Sequence, residues 1–183
     1  NNIVRGNYMG TDASGNNALG NLDDGIHIKA GPQSNTMAAN LIAFNGTVGS
    51  RGGIWITNQD TDYNEITRNS IYNNISYGIR LTDGGNDEIP APVITTAFLD
   101  SVSNMLNVSG SGAGAGATVE IFKADSMASG QGMTYLGDMI ANAGGHFFGP
   151  INVTGKGLSL GDAIVATTTH TNNNTSEFSN GVV

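Results

Sequence analysis

The chain has 183 residues, enough for one large domain or two small ones that each bury a core. Its 7 Lys and Arg against 15 Asp and Glu give a formal net charge of −8, so it lacks the basic surface that binds nucleic acid or anionic membranes. It has no cysteine, which excludes disulfides and thiolate metal sites. No apolar run approaches the length of about 20 residues that spans a bilayer. We therefore expect no nucleic-acid partner and no membrane insertion.

The composition favours β-structure. The chain contains 27 Gly and is rich in Asn, Thr and Ser, residue types that are common in turns and strands, whereas only 12% of its residues are charged. Helical surfaces are usually rich in Glu and Lys. An all-β chain with many turns is predicted.

Three successive units within residues 1–87 share one spacing of asparagines and apolar residues. The third unit has the pattern N-x-I-x-x-N-x-I-x-x-N from Asn64, followed by G-I-x-L at 78–81. The second unit repeats this spacing from Asn35. The first repeats it from Asn2, with Asp12 at the position of the last asparagine. Only the loop before the G-I-x-[IL] segment changes in length, so the three units are predicted to fold alike.

This spacing has a physical explanation in a stack of short parallel strands. Apolar residues at period two mark strands with one buried face, and the asparagines mark bends, where they tolerate left-handed backbone. In a stack, equivalent residues lie about 4.8 Å apart, so amides form ladders and aliphatic side chains form columns. We expect one ladder of Asn7, Asn40 and Asn69. The expected inward columns are Val4/Met37/Ile66, Met9/Ile42/Ile71 and Ile26/Ile54/Ile79.

These repeats resemble those of the right-handed parallel β-helix family of bacterial secreted and surface proteins. The resemblance covers residues 1–87, and 74–81 is closest to the family pattern. It implies about three rungs, each rung being one turn of the β-helix, in a protein that is extracellular or attached to the cell surface. The repeat specifies a fold and says little about activity.

The pattern ends after Leu81, and residues 88–92 are predicted to form a linker stiffened by two prolines. Short β-prone segments separated by glycine-rich turns then fill residues 93–183, and about seven strands in this length predict an immunoglobulin-like β-sandwich. The segments 91–94, 119–122 and 174–179 are similar to the sandwich module often fused to such repeats. The predicted strands are 93–99, 105–109, 118–124, 134–140, 146–153 and 163–169.

One outward column is the main candidate binding site. Because Ile26, Ile54 and Ile79 point inward, the next residue in each strand points outward. These residues are His27, Trp55 and Arg80, and they are expected to stack on one sheet face. A tryptophan beside an arginine offers a cation–π contact and a flat platform for a sugar ring. A glycan is therefore a candidate ligand.

Catalysis on the same face is an alternative. Polysaccharide lyases and hydrolases of this fold place their active sites on such a face, and Asp23 and Asp24 resemble the paired aspartates of pectin hydrolases, with Arg51 expected one rung further on. The other segments of that family's motif set are missing here, and three rungs form only a short cleft. No catalytic residue is assigned, and a non-enzymatic protein is favoured.

No cofactor is expected, and calcium is the one exception that the sequence leaves open. Asp60 and Asp62 lie in a segment of alternating oxygen-bearing side chains, and Asp62 and Asp87 each follow a repeat glycine by nine residues. The segment lacks the glycine and the distal glutamate of an EF-hand. A solvated turn is the favoured interpretation of this segment, and calcium is the alternative. The three histidines are too scattered in the sequence to indicate a zinc site.

The ends of the stack suggest a function. The sandwich is placed to cap the last rung, whereas Asn1 begins directly on the first unit. Either further rungs precede this unit in a longer protein, or another surface covers the edge. We therefore expect a structural or adhesive module that self-associates head-to-tail through the uncapped end into a surface assembly or filament. A carbohydrate-binding or polysaccharide-cleaving β-helix protein is the alternative.

Overall fold

The computed structural model describes residues 1–47, 49, 51–127 and 129–183. In the first half, nine short strands form three parallel sheets of three strands, ordered β1-β4-β7, β2-β5-β8 and β3-β6-β9. Each rung contributes one strand to each sheet, which confirms the predicted stack of three rungs. The strands are β1 (Ile3–Arg5), β2 (Tyr8–Met9), β3 (Ile26–Ile28), β4 (Thr36–Ala38), β5 (Leu41–Ala43), β6 (Ile54–Thr57), β7 (Glu65–Thr67), β8 (Ser70–Tyr72) and β9 (Ile79–Thr82).

The predicted inward columns are confirmed by the strand register. Val4 pairs with Met37 and Met37 with Ile66, and the other two columns pair in the same way. The second and third rungs bury these side chains almost completely, whereas Val4 in the first rung stays partly exposed. Burial of aliphatic side chains stabilises the stack by about 1.5–3 kcal/mol per residue.

The predicted asparagine ladder is also present. The backbone N–H and the Nδ2 of Asn7 both donate to Oδ1 of Asn40, at 3.0 and 3.1 Å. Asn40 donates in the same way to Oδ1 of Asn69, with both distances 2.9 Å. A second ladder runs from Asn2 through Asn35 to Asn64. The carboxamide of Asn40 therefore accepts the backbone N–H of the asparagine in the preceding rung and donates to the carboxamide of the following rung.

The third ladder corrects the sequence alignment at Asp12. Asn21 donates to Oδ1 of Asn45, and Asn45 donates to Oδ1 of Asn74. Asp12 lies instead in an exposed loop, where it accepts a hydrogen bond from Nδ2 of Asn17. The first rung therefore carries an inserted loop before its third ladder position, and equal spacing in the sequence did not reveal it.

In the second and third rungs, the left-handed backbone lies one residue before each ladder asparagine rather than at the asparagine itself. Six such residues have φ between 51° and 62°: Ser34, Ala39, Phe44, Tyr63, Arg68 and Asn73. Residues other than glycine lose about 1–2 kcal/mol in this conformation. The ladder hydrogen bonds, which need the sharp bend, offset this cost. The ladder positions therefore require the asparagine carboxamide, and they do not depend on the tolerance of asparagine for left-handed backbone.

A short 3-10 helix at Gly85–Glu88 follows the last rung, and six longer strands follow it. They form two antiparallel sheets, ordered β10-β11-β14 and β13-β12-β15. Every predicted strand of this half is found, with ends that differ by at most two residues. The strands are β10 (Val93–Asp100), β11 (Met105–Ser111), β12 (Thr118–Ala124), β13 (Gly132–Ile140), β14 (Phe147–Asn152) and β15 (Ile164–Thr169).

The two antiparallel sheets share one core. Leu106 of β11 and Phe147 of β14 belong to the same buried cluster as Val119 of β12 and Ile164 of β15. A seventh regular strand is not found among the described residues. The segment after Asn174 runs beside β15 instead and pairs with it only at isolated bridges. The immunoglobulin-like assignment stays a prediction.

The sandwich packs directly onto the end of the β-helix. Phe178, near the end of the chain, contacts both the β-helix core and a small buried cluster of the sandwich. Thr67 and Arg68 of the third rung bond to Glu120 of β12. The two halves therefore share a contact surface, and the division at residues 87 and 93 stays a prediction. Within the described part of the chain, no helix is long and apolar enough to cross a membrane.

Candidate functional site

The outward column lies where the repeat predicts it. His27, Trp55 and Arg80 are in direct register on β3, β6 and β9. The rings of His27 and Trp55 are stacked, with centroids 4.2 Å apart and planes inclined by 13°. The guanidinium carbon of Arg80 lies 5.6 Å from the Trp55 centroid. The three side chains form one continuous stack along the β-helix.

This stacking changes what Trp55 can offer a ligand. Its ring has His27 as one neighbour in the column and Arg80 as the other, so the flat platform expected from the sequence is not free. Its Nε1 donates to Oγ1 of Thr82 at 2.9 Å, and the Thr82 hydroxyl donates to Thr57 at 3.0 Å. His27 is the exposed member of the column, whereas Trp55 and Arg80 are partly buried. The role of the column as a ligand site stays a prediction.

A buried aspartate supports the strands beside this column. Oδ1 of Asp24 accepts hydrogen bonds from the Gly52 N–H at 2.8 Å and from the Tyr77 hydroxyl at 3.1 Å. Its other oxygen pairs with Arg51 at 3.3 Å, and its side chain is 0% exposed. Both carboxylate oxygens are occupied by groups of the second and third rungs, which indicates that Asp24 crosslinks rungs.

Arg51 connects this aspartate to the column. Its Nε pairs with Asp23 at 3.1 Å, and its guanidinium carbon lies 4.9 Å from the Trp55 centroid. Asp23 itself is largely exposed. A hydrogen bond from the Asp24 N–H is the main cause that lowers the pKa of the Asp23 carboxyl. Arg51 therefore pairs with both Asp23 and Asp24. It lies one rung further on than these aspartates, as the sequence predicted.

His27 is the titratable member of the column. Partial desolvation lowers the pKa of its imidazole below the ordinary value of 6.5, and the nearby Lys29 ammonium lowers it further. Asp24 and Asp23 act in the opposite direction and do not reverse the shift. The ring is therefore mostly neutral near pH 7, and both His27 and the nearby Lys29 are exposed.

The candidate calcium residues are partly brought together. The Asp87 N–H donates to Oδ1 of Asp62 at 2.9 Å, and Oδ2 of Asp87 accepts from Nδ2 of Asn174 at 2.7 Å. Burial raises the pKa of the Asp62 carboxyl, and the charges of Asp87 and Asp60 add to the rise. The described residues contain no group of three or more His, Cys, Asp or Glu that could hold a metal ion. The calcium assignment stays a prediction.

The residues that terminate the β-helix were not predicted from the sequence. At the last rung, backbone N–H groups that would bond to a further rung bond instead to side chains from the rest of the chain. The side chain of Gln131 accepts a hydrogen bond from the Asn74 N–H. In the same way, Glu120 accepts one from the Arg68 N–H, and Thr175 accepts one from the Ile66 N–H. Four further side chains accept a backbone N–H of the last rung in this way. The acceptor and donor pairs are Asn86 and Asn64, Asn174 and Tyr63, Asp125 and Asn73, and Glu177 and Leu81. Their scattered positions carry no repeat signal.

The opposite end of the β-helix is open. An opening of about 380 Å³ lies at the first rung, and its apolar lining includes Val4, Ile26, Ile28 and Met37. His27 and Lys29 also line it. Strands β1, β2 and β3 each pair on one side only, with the second rung. The structure therefore has one edge closed by side chains and one edge with unpaired strands and an accessible interior.

A family model described as "Periplasmic copper-binding protein (NosD)" matches residues 1–114. The match includes all three rungs and the first two strands of the sandwich. It supports a periplasmic or otherwise extracytoplasmic location. It also names copper, which does not fit the expectation of no cofactor other than calcium.

Among the residues that the structure describes, no cluster of His, Cys, Asp or Glu could hold copper. Copper prefers imidazole, thiolate and thioether ligands, and this chain has no cysteine. His27 lies on the β-helix face, His146 directly precedes β14 and His170 directly follows β15, so the three histidines lie on different elements. The link to copper rests on the family's name.

The matched region contains the asparagine ladders and the buried columns that define the three rungs. These are features of the fold. Because the match covers 114 of 183 residues, this chain belongs to the NosD family.

Proposed function

We propose that this chain is a non-catalytic structural or adhesive module of an extracytoplasmic protein. Its rungs form a stiff element, and its sandwich terminates that element. The observation that supports this role most directly is the cap, in which side chains such as Gln131 and Glu120 occupy the hydrogen-bonding positions of a further rung. The buried Asp24 crosslink adds rigidity, since it ties three segments together.

We further propose that copies associate head-to-tail through the open edge. Because the last rung is covered by the sandwich, the edge cannot stack on the last rung of an intact copy. The outer face of β10-β11-β14 is the surface that we propose as its partner, since Phe98 and Phe148 are 66% and 74% exposed there. Such a contact is heterologous and grows into a filament.

Light scattering after gel filtration, together with electron microscopy, tests this association. We expect the mass of the chain to rise with concentration, with fibres visible at the highest concentrations. Phe148→Ser should suppress both effects. The matched control is Ile140→Ser, which changes a side chain of similar exposure on β13 of the other sheet. A monodisperse monomer at every concentration would overturn the proposal.

Glycan binding on the outward column is the second candidate function. It is supported by the exposure of His27 and the nearby Lys29 and by the stack of His27 with Trp55. A glycan array with the wild-type chain, Trp55→Ala and Tyr8→Ala separates this candidate from the first. Tyr8 is an exposed aromatic residue on a different sheet, so Tyr8→Ala should bind as the wild type does. Absence of binding by the wild type would discard this function.

We also infer that the sandwich is of the immunoglobulin-like type. The support is its pair of antiparallel sheets around a shared core, with β14 crossing from the sheet of β12 and β13 to that of β10 and β11. The irregular segment beside β15 occupies the place of a further edge strand.

A further inference from the structure

The middle asparagine ladder, which ends at Asn69, terminates differently from the ladders on either side of it. One neighbouring ladder ends where the Asn64 N–H donates to Oδ1 of Asn86 at 3.1 Å. The other ends where Oε1 of Gln131 accepts both donors of Asn74. The backbone N–H of Asn69 has no acceptor among the residues that the structure describes. Two ladders are therefore terminated by a carboxamide, and the third is not.

The hydrogen bonds of Asn69 show what kind of group would complete its ladder. In the rung before it, the N–H of Asn40 and one proton of its Nδ2 both donate to Oδ1 of Asn69, each at 2.9 Å. Asn69 uses one Nδ2 proton on the carbonyl of Met37 at 2.8 Å, so its N–H and its second Nδ2 proton are available. Asn69 is 2% exposed, and buried N–H groups without a partner are rare. One oxygen that accepts both protons would satisfy it.

A small cavity lies beside Asn69, between the last rung and the sandwich. Its volume is about 10 Å³, and its lining includes Asn69 of the rung and Thr167 of β15. Ile66 and Phe178 are among its apolar neighbours. A cavity of about 10–15 Å³ is the smallest that holds one water molecule, and cavities that stay dry are lined by apolar groups. This cavity has the size for one water and has polar groups in its lining.

Thr167 brings a second polar atom without a partner to the same cavity. The residue is 2% exposed, and in the described part of the chain its Oγ1 makes no hydrogen bond. Thr167 lies directly opposite Glu120 on β12, so both side chains lie on one face of the sheet. Glu120 bonds to Thr67 and Arg68 of the third rung, which shows that this face contacts the rung. The hydroxyl of Thr167 is thus on the side of Asn69.

We propose that this cavity is a binding site for one water molecule, which takes the place of the carboxamide that ends the other two ladders. The water oxygen accepts hydrogen bonds from the Asn69 N–H and from its second Nδ2 proton. One water proton is donated to Oγ1 of Thr167. Three hydrogen bonds are the usual number for a buried water. The sandwich thus terminates two ladders with side chains and the third through a bound water, whatever the function of the open edge.

A crystal structure of the full chain, together with nuclear magnetic resonance, tests this site. Electron density should show one ordered oxygen within about 3.2 Å of both the Asn69 nitrogen and Oγ1 of Thr167. In solution, the amide protons of Asn69 should give nuclear Overhauser cross-peaks to water with the sign of a long-lived internal molecule. The Asn64 N–H is the internal control. It bonds directly to Asn86 and should give no such cross-peak.

Thr167→Val removes the hydroxyl with little change in side-chain size, so the density and the cross-peaks at Asn69 should be weakened or lost. The matched control is Thr168→Val, in the next residue, whose side chain points to the other face of the strand and donates to the Ala113 carbonyl at 2.7 Å. This variant should keep both signals. A wild-type cavity without density, a direct bond from the Thr167 hydroxyl to a protein atom, or an unchanged water in Thr167→Val would overturn the proposal.

Discussion

The side-chain oxygen of Gln131 accepts two hydrogen bonds from Asn74, one from its backbone N–H and one from its carboxamide, each 3.0 Å long. Nε2 of Gln131 returns a hydrogen bond to the Asn74 carbonyl at 2.9 Å. The glutamine comes from the sandwich and makes the contacts that a ladder asparagine of a further rung would make. The sandwich therefore terminates the β-helix with a side chain that makes the same hydrogen bonds as a ladder asparagine.

Replacing this glutamine should weaken the junction. Gln131→Ala leaves the buried donors of Asn74 without a partner, so the free energy of unfolding should fall by about 1–3 kcal/mol. Urea denaturation measures this change. Gln59→Ala, at an exposed position, is the control and should stay within about 0.5 kcal/mol of the wild type. Equal losses in the two variants would contradict the role of Gln131.

The two neighbouring aspartates should differ sharply in their effect on stability. Asp24→Asn weakens a fully buried group that bonds to Arg51, Gly52 and Tyr77, so the free energy of unfolding should fall by about 1–3 kcal/mol. Asp23→Asn removes an exposed partner of the same Arg51 and should leave the denaturation midpoint nearly unchanged. An equal loss of stability in Asp23→Asn and Asp24→Asn would contradict the conclusion that the crosslink depends on burial.

The fluorescence of Trp55 should report the protonation of His27. The rings are stacked at 4.2 Å, and Trp55 is the only tryptophan, so emission should change as the imidazole gains its proton. The midpoint should lie below pH 6.5, because desolvation and Lys29 lower the pKa of His27. His27→Gln should abolish the transition. A midpoint above 6.5 would contradict the assigned environment.

The same shift has a consequence for stability. Because the folded-state pKa of His27 is below its unfolded value of 6.5, the unfolded chain binds more protons between the two values. The contribution of His27 is therefore fully present above pH 6.5 and is lost as the pH falls through the folded pKa. Denaturation midpoints of the wild type and His27→Gln should converge or cross in that acidic range.

Glu120 should show the opposite pH dependence. It is 4% exposed and accepts hydrogen bonds from the Thr67 hydroxyl and the Arg68 N–H, while burial raises the pKa of its carboxyl above 4.5. The folded chain then binds more protons than the unfolded chain, so stability falls as the pH rises from 4.5 through the folded pKa.

Glu120→Gln should remove this part of the pH dependence. The glutamine keeps an acceptor without a buried charge, so its stability relative to the wild type should increase from pH 4.5 to pH 8, measured by urea denaturation. Asp138→Asn is the control, since Asp138 is more exposed and lies on the adjacent strand β13. A difference that is constant with pH would contradict a raised pKa for Glu120.

The repeat in the sequence was sufficient to predict the rungs, the inward columns, the Asn7 ladder and the outward column of His27, Trp55 and Arg80. Each of these depends only on alternation within a strand and on stacking of equivalent positions. The strands of the sandwich were likewise predictable, because β-prone segments are separated by glycine-rich turns. The alignment of Asp12 was wrong because a loop insertion moves Asn21 into the ladder while the spacing still fits Asp12.

The sequence by itself therefore determined the periodic part of the protein, where each residue's neighbours follow from its position in a repeat. Only the tertiary structure decided the rest. It placed Gln131 and Glu120 on the last rung, buried Asp24 against Tyr77, and covered the face of Trp55 with His27. The physical reason is that these contacts join segments of the chain that no common period relates. The chemistry of the two β-helix ends is set by those contacts and not by the repeat.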